Sequence, residues 1–186
     1  MPPDLDSWLA RPLIRIRHRR VARVTPEALW NAARTVRLDE ARRLGRLVRL
    51  RIPGLPLSLT FDEMFRTPPF TVLEAGEMSL LSGIVGRIWT MRRDYPSLRD
   101  PSEFRDWAAR GMARVLFASW TEPSDGGGAT LVNETRVDAI GRRGRWGLAA
   151  VRPLIAASNG LIASDGLSVA VRRAELDAHT TAKVGR

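Results

Sequence analysis

The sequence contains no cysteine, which removes disulfides, thiolate nucleophiles and cysteine-based zinc sites, and nothing in it argues for an oxidising compartment. Histidine is almost as scarce. His18 and His179 are the only two, so metal or acid–base chemistry has to rest on them and on carboxylates. Arg152, Pro153 and Asp165 interrupt the most apolar segment before it reaches bilayer-spanning length. The chain opens Met1-Pro2-Pro3-Asp4-Leu5-Asp6, acidic where a secretory signal is basic. These absences predict a cytoplasmic protein with no transmembrane segment.

What is present is a chain of 186 residues with 44% hydrophobic content, enough for one domain with a sizeable core. The expected division is an N-terminal extension over 1–12, a domain over 13–177 and a flexible tail over 178–186. The net charge is +10, and of the 30 basic residues only Lys183 is a lysine. Such a surface attracts phosphates and anionic headgroups, but an arginine excess beside abundant alanine is also what GC-rich coding produces. Arg15, Arg17, Arg19, Arg20 and Arg23 crowd one segment, and Arg42, Arg43, Arg46 and Arg49 another; solvated faces are the usual outcome of such runs. The six tryptophans are scattered rather than interleaved with these arginines, so a nucleic-acid partner is not expected. Nothing in the chain specifies an oligomeric state.

Period-2 alternation over 13–24 puts Ile14, Ile16 and His18 on one face and Arg15, Arg17 and Arg19 on the other, the pattern of a half-buried strand. Thr25-Pro26-Glu27 then supplies an N-cap, a first-turn proline and an acid at the positive helix end, opening a helix to about Val36. Asp39 is the expected cap of a second short helix with Ala41, Leu44, Leu47 and Val48 on its apolar face. A short strand over 70–75 and a longer one over 78–91 follow. Gly83 and Gly86 interrupt the longer strand, where a sheet bends. A helix is expected over 101–109, ended by Gly111.

The last third is the most informative. Runs over 112–121 and 129–140 flank Asp125-Gly126-Gly127-Gly128, a hairpin turn rather than a phosphate loop, since the Gly-Lys-Ser/Thr ending is missing. Setting Arg114 opposite Asp138 pairs Phe117 with Thr135. It points Val115, Phe117, Ser119, Leu131, Asn133, Thr135 and Val137 inward and leaves Glu134, Arg136 and Asp138 on a solvent face. The other parity buries Glu134 and Arg136 as an ion pair in a cavity. An apolar segment over 146–176 reads as a core helix that Pro153 and Gly160 bend or split.

Several segments together resemble a bacterial branch of the SRPBCC superfamily, the START-like or helix-grip proteins that include the birch pollen allergen, lipid-transfer START domains and polyketide aromatase/cyclases. They are Val24-Thr25-Pro26-Glu27-Ala28-Leu29-Trp30, Leu50 to Pro56, Gly83-Ile84-Val85-Gly86-Arg87-Ile88-Trp89, Asn133 to Val137, Val151-Arg152-Pro153 and Gly160-Leu161-Ile162. The resemblance implies an α+β helix-grip fold: a curved antiparallel sheet wrapped around a long C-terminal helix, with a cavity between them for a small hydrophobic or amphipathic molecule. It carries over no catalytic residue set. Trp146 to Ala150 departs from that branch by lacking its tyrosine–tryptophan pair, which removes the basis for an aromatic lid.

The expected function is therefore binding of a small hydrophobic or amphipathic ligand. The alternatives are a polyketide cyclase/dehydratase-like enzyme with His18 as acid–base group, or a basic surface docking on anionic lipid or nucleic acid. Phe117 would line the pocket, while His18, Ser119, Asn133 and Thr135 would provide its few convergent polar groups; Asn133, Thr135 and Ser119 can equally bond one another or a buried water. Ser82, Trp89 and Ser158 complete the candidate ligand-binding set, although Ser158, next to Asn159-Gly160, also fits a helix break. No nucleophilic triad is expected, since no Gly-x-Ser-x-Gly elbow is present, and no metal or other cofactor is expected, since metal ligands do not cluster at a useful spacing.

Overall fold

The computed structural model describes residues 2–51, 54–90, 94–161 and 165–184. Its elements run α1 (Asp6–Leu9), β1 (Ile14–Ala22), α2 (Pro26–Thr35), α3 (Arg42–Arg51), α4 (Phe61–Arg66), β2 (Thr71–Gly76), β3 (Ser79–Gly86), α5 (Pro101–Asp106), β4 (Ala113–Pro123), β5 (Ala129–Ala139), α6 (Gly141–Leu161) and α7 (Leu167–Val184). The five strands form one antiparallel sheet in the order β1-β5-β4-β3-β2. The molecule is α+β, with helices closing the C-terminal end of the chain.

Local chemistry explains most boundaries. Thr25 Oγ1 accepts from the Ala28 amide at 3.3 Å and Pro26 occupies the first turn, which starts α2 where the sequence pattern places it. The hairpin closes as anticipated: Gly127 and Gly128 have φ of 79° and 90°, and the Ser124 amide donates to Gly128 O at 3.1 Å. Arg114 stands opposite Asp138 and Phe117 opposite Thr135, the expected register, with Arg114 and Asp138 paired at 3.0 Å.

Several expectations need correction. The strand expected to reach 91 stops at Gly86, where the chain turns and the Arg87 amide donates to Asp94 O at 3.3 Å; Trp89 lies in the turn that follows. Asp39 does not cap α3 but pairs with Arg37 at 2.8 Å, and Asp165 accepts from the Arg43 amide instead, also at 2.8 Å. The segment expected as a core helix bent or split by Pro153 and Gly160 is carried by two helices, α6, which contains Pro153, and α7, which extends past 178 to Val184. An additional helix, α4, starts at Thr60, whose hydroxyl accepts from the Glu63 amide while the Glu63 carboxylate accepts from the Thr60 amide.

The largest correction concerns the second face of the sheet. Alternation places it in solvent, but α1 and α5 cover it: Leu5, Leu9 and Phe104 pack with Leu81, Val85, Leu116, Ala118, Trp120 and Val132. A Cβ on Gly83 would stand 2.6 Å from the Phe104 ring, so this glycine provides close helix–sheet approach rather than only curvature. Glu134 and Arg136 are consequently 0% and 3% exposed, on the face away from the cavity. Neither of the two parities considered describes them, since they face neither solvent nor pocket.

Burial of that charge is compensated in full. Glu134 accepts from Arg136 Nε at 2.7 Å and Arg15 Nε at 2.8 Å, and pairs with Arg17 Nε at 3.1 Å. Arg136 also donates to Asp6 Oδ1 and to Leu9 O, which ties α1 onto the sheet. Burial works against the Arg136 charge, but its hydrogen bonds to Glu134 and Asp6 outweigh that and raise its pKa. The hydrogen bond from Arg136 in turn holds the Asp6 carboxyl below its ordinary value.

Candidate functional site

The other face of the sheet closes over a cavity of about 290 Å³. Its floor comes from alternate residues of three strands: Leu80 and Ile84 of β3, Val115, Phe117 and Ser119 of β4, and Leu131, Asn133, Thr135 and Val137 of β5. The inward parity of the last hairpin is therefore the one the sequence pattern predicts. Walls come from α2 through Trp30, Ala33 and Arg34, from α4 through Phe61, Met64 and Phe65, and from α3 through Leu47 and Val48. Val151, Leu154 and Ile155 of α6, with Leu167 and Ala170 of α7, complete the enclosure.

One end is aromatic. Phe65, Phe70 and Phe117 have ring centroids 5.2–5.7 Å apart, two of the three pairs edge-to-face. The polar groups lie along β4 and β5. Asn133 Nδ2 donates to Ala118 O at 3.3 Å and to Ser119 Oγ at 2.9 Å, whereas Asn133 Oδ1 and Thr135 Oγ1 are buried with no hydrogen-bond partner among the described residues. Among the described lining residues, charge is confined to Arg34, which is exposed, and Asp62, whose carboxylate already accepts from Arg66 Nε at 2.7 Å.

Four of the eight expected contact residues meet in this cavity: Phe117, Ser119, Asn133 and Thr135. His18, Ser82 and Trp89 do not join them. His18 shares their face opposite Asn133, but β1 is the edge strand, and the half-buried imidazole is not part of the lining. Ser82 lies between Leu80 and Ile84 on β3, with its hydroxyl held by Phe65 O at 2.7 Å and Thr71 O at 3.1 Å. It fastens α4 to the sheet. Trp89 packs against α6, where Gly147 has no Cβ to collide with the indole ring. Ser158 lies on α6, with its side chain outside the described residues.

The sequence pattern left the contribution of 57–69 unread. Phe61, Met64 and Phe65 reach the cavity from α4, and the signal for that helix is present as Thr60-Phe61-Asp62-Glu63, a serine/threonine followed three residues later by an acid. Tyr95, in a segment to which the sequence pattern assigns no element, also lines the cavity, as does Ile88.

Among the described residues no helix is long and apolar enough to cross a membrane. No family model and no curated protein matches the chain. A solved structure, the crystal structure of TTHA0849 from Thermus thermophilus, is similar over 89% of this chain and 99% of that one, at 10% identity and a TM-score of 0.34. Likeness at that level leaves fold and function to be argued from the chain's own geometry.

Proposed function

We propose that the protein binds a small hydrophobic or amphipathic molecule in the cavity between the sheet and helices α2–α4, α6 and α7. The observation that carries this is an enclosure of about 290 Å³ lined mainly by aliphatic and aromatic side chains, with a few polar groups converging on β4 and β5. The same reading takes the arrangement as a helix-grip fold of the SRPBCC superfamily. Its support is the element order, a strand followed by helices, then antiparallel strands, then C-terminal helices over one face of the sheet. The cyclase-like alternative draws no support from His18, which lies outside the lining.

Native mass spectrometry of the purified protein should show a co-purified apolar molecule or uptake of an apolar fluorescent probe. Phe117→Trp should reduce probe uptake by occupying cavity volume. Replacing Arg42 and Arg46, both exposed on α3, with Gln should leave it nearly unchanged. Absence of any uptake by the parent protein refutes the reading, and equal uptake by Phe117→Trp removes Phe117 from the site.

A further inference from the structure

Resting on the binding reading above, we infer that the ligand is an uncharged, mainly apolar molecule carrying a hydroxyl, and that Asn133 and Thr135 recognise that hydroxyl. The orientation of the Asn133 amide is set by Ala118 O, which can only accept, so the nitrogen must face it and Oδ1 remains unpaired among the described residues. Thr135 Oγ1 is the second unpaired atom, and the two residues are only 7% and 5% exposed. Both line the cavity. Unpaired polar atoms inside a protein are costly, and a ligand that pairs them recovers that cost on binding.

The two atoms together select the ligand's polar group. Residues two apart on one face of a strand have Cα atoms about 7 Å apart, and one ligand oxygen engages both only when the Asn133 and Thr135 side chains converge to about 3 Å from it. A hydroxyl there donates to Asn133 Oδ1 and accepts from the Thr135 hydroxyl. A carboxylate has no proton for Oδ1 and would be desolvated beside an amide oxygen; among the described lining residues the cation is Arg34, which is exposed. An ammonium would satisfy Oδ1 but would meet Asp62 already engaged by Arg66. A pure hydrocarbon leaves both atoms unpaired.

The test uses 2-naphthol, naphthalene and 2-naphthoate, which share one ring system and differ in the polar group, titrated into the purified full chain by calorimetry. The expected result is about tenfold tighter binding of 2-naphthol than of naphthalene, with 2-naphthoate weakest. Thr135→Val, which keeps shape but removes the hydroxyl, should erase most of that preference; Thr135→Ser should preserve it. Asn133→Leu should also erase it, and if that variant does not fold the threonine pair still decides. Equal binding of 2-naphthol and naphthalene, or an undiminished preference in Thr135→Val, overturns the hydroxyl inference and leaves the cavity reading standing. Failure of all three compounds to bind overturns both.

Discussion

On one face of the sheet Thr135 keeps a buried hydroxyl without a protein partner among the described residues; one residue earlier, on the opposite face, Glu134 is held by three guanidiniums. Neighbouring positions of β5 thus follow opposite rules. Where a sheet face serves only as core, every buried charge is matched, because an unmatched one is prohibitively expensive. Where a face borders a cavity, polar groups can remain unmatched within the protein. At β5 the matched charge beneath α1 and the unmatched Asn133 and Thr135 atoms beside the cavity mark the two faces, although Arg114 Nε and Trp107 Nε1 are unpaired among the described residues on the structural side as well.

Glu134→Ala breaks the comparison most severely. It leaves Arg136 beneath α1 with the exposed Asp6 carboxylate and Leu9 O but without its buried counter-charge, and should cost about 3–5 kcal/mol in denaturant unfolding. Replacing Glu134 and Arg136 together with Leu should cost far less than Glu134→Ala alone. If the double variant is as unstable as the single one, the cost lies in lost packing and the electrostatic account fails.

A second comparison sets one phenylalanine against another. Phe104 is fully buried against Gly83 under α5, so Phe104→Ala should lose about 3–5 kcal/mol. Phe117 borders the cavity and has fewer atoms to lose contact with, so Phe117→Ala should lose about half as much. Equal losses in matched chemical melts would show that the cavity face is packed as tightly as the other.

Thr135→Val should move stability the other way. Exchanging an unpartnered buried hydroxyl for a methyl of the same shape removes a desolvation cost and should raise stability by about 1 kcal/mol. A loss of that size instead would mean that the hydroxyl is bonded in the folded protein.

The smallest effect concerns pH. Hydrogen bonding to Arg136 holds the Asp6 carboxyl below its ordinary 3.8, so its contribution is present above that value and is lost as pH falls through the folded pKa. Protection factors for amide exchange over 5–9 should fall on acidification below about 3.8, and in Asp6→Asn they should already be low at neutral pH and change little. Unchanged protection in that variant would show that Leu5 and Leu9 alone hold α1 in place.

How much of this is legible in the chain depends on whether the signal is local. The cap before α2, the glycine hairpin and the Arg114–Asp138 register are set by neighbours in sequence or by strict alternation, and the structure agrees with each. The doubly buried sheet is harder to see, because Glu134, Arg136 and Asp138 read as a solvent face, although charges that find partners mark nothing of the kind. The contrary signal is Leu80-Leu81-Ser82-Gly83-Ile84-Val85 on β3, a run without alternation that belongs to a strand covered on both sides. The aromatic end of the cavity depends on α4, which the capping box could have revealed. The cap on α3 could not be found that way, because Asp165 lies 122 residues from its partner.

The position of β1 at the border of the sheet gives its arginines a further role. A nine-residue strand that pairs on one side only with β5 is a template onto which another chain can add strands, the first step of fibrous aggregation. Arg15, Arg17, Arg19 and Arg20 outnumber Glu134 and Glu122, the carboxylates that Arg15, Arg17 and Arg19 pair with, so the border keeps a net positive charge that a second copy approaching edge to edge meets in opposition. Salt that screens them should therefore shorten the lag before self-association of a destabilised variant, while leaving the folded parent monodisperse.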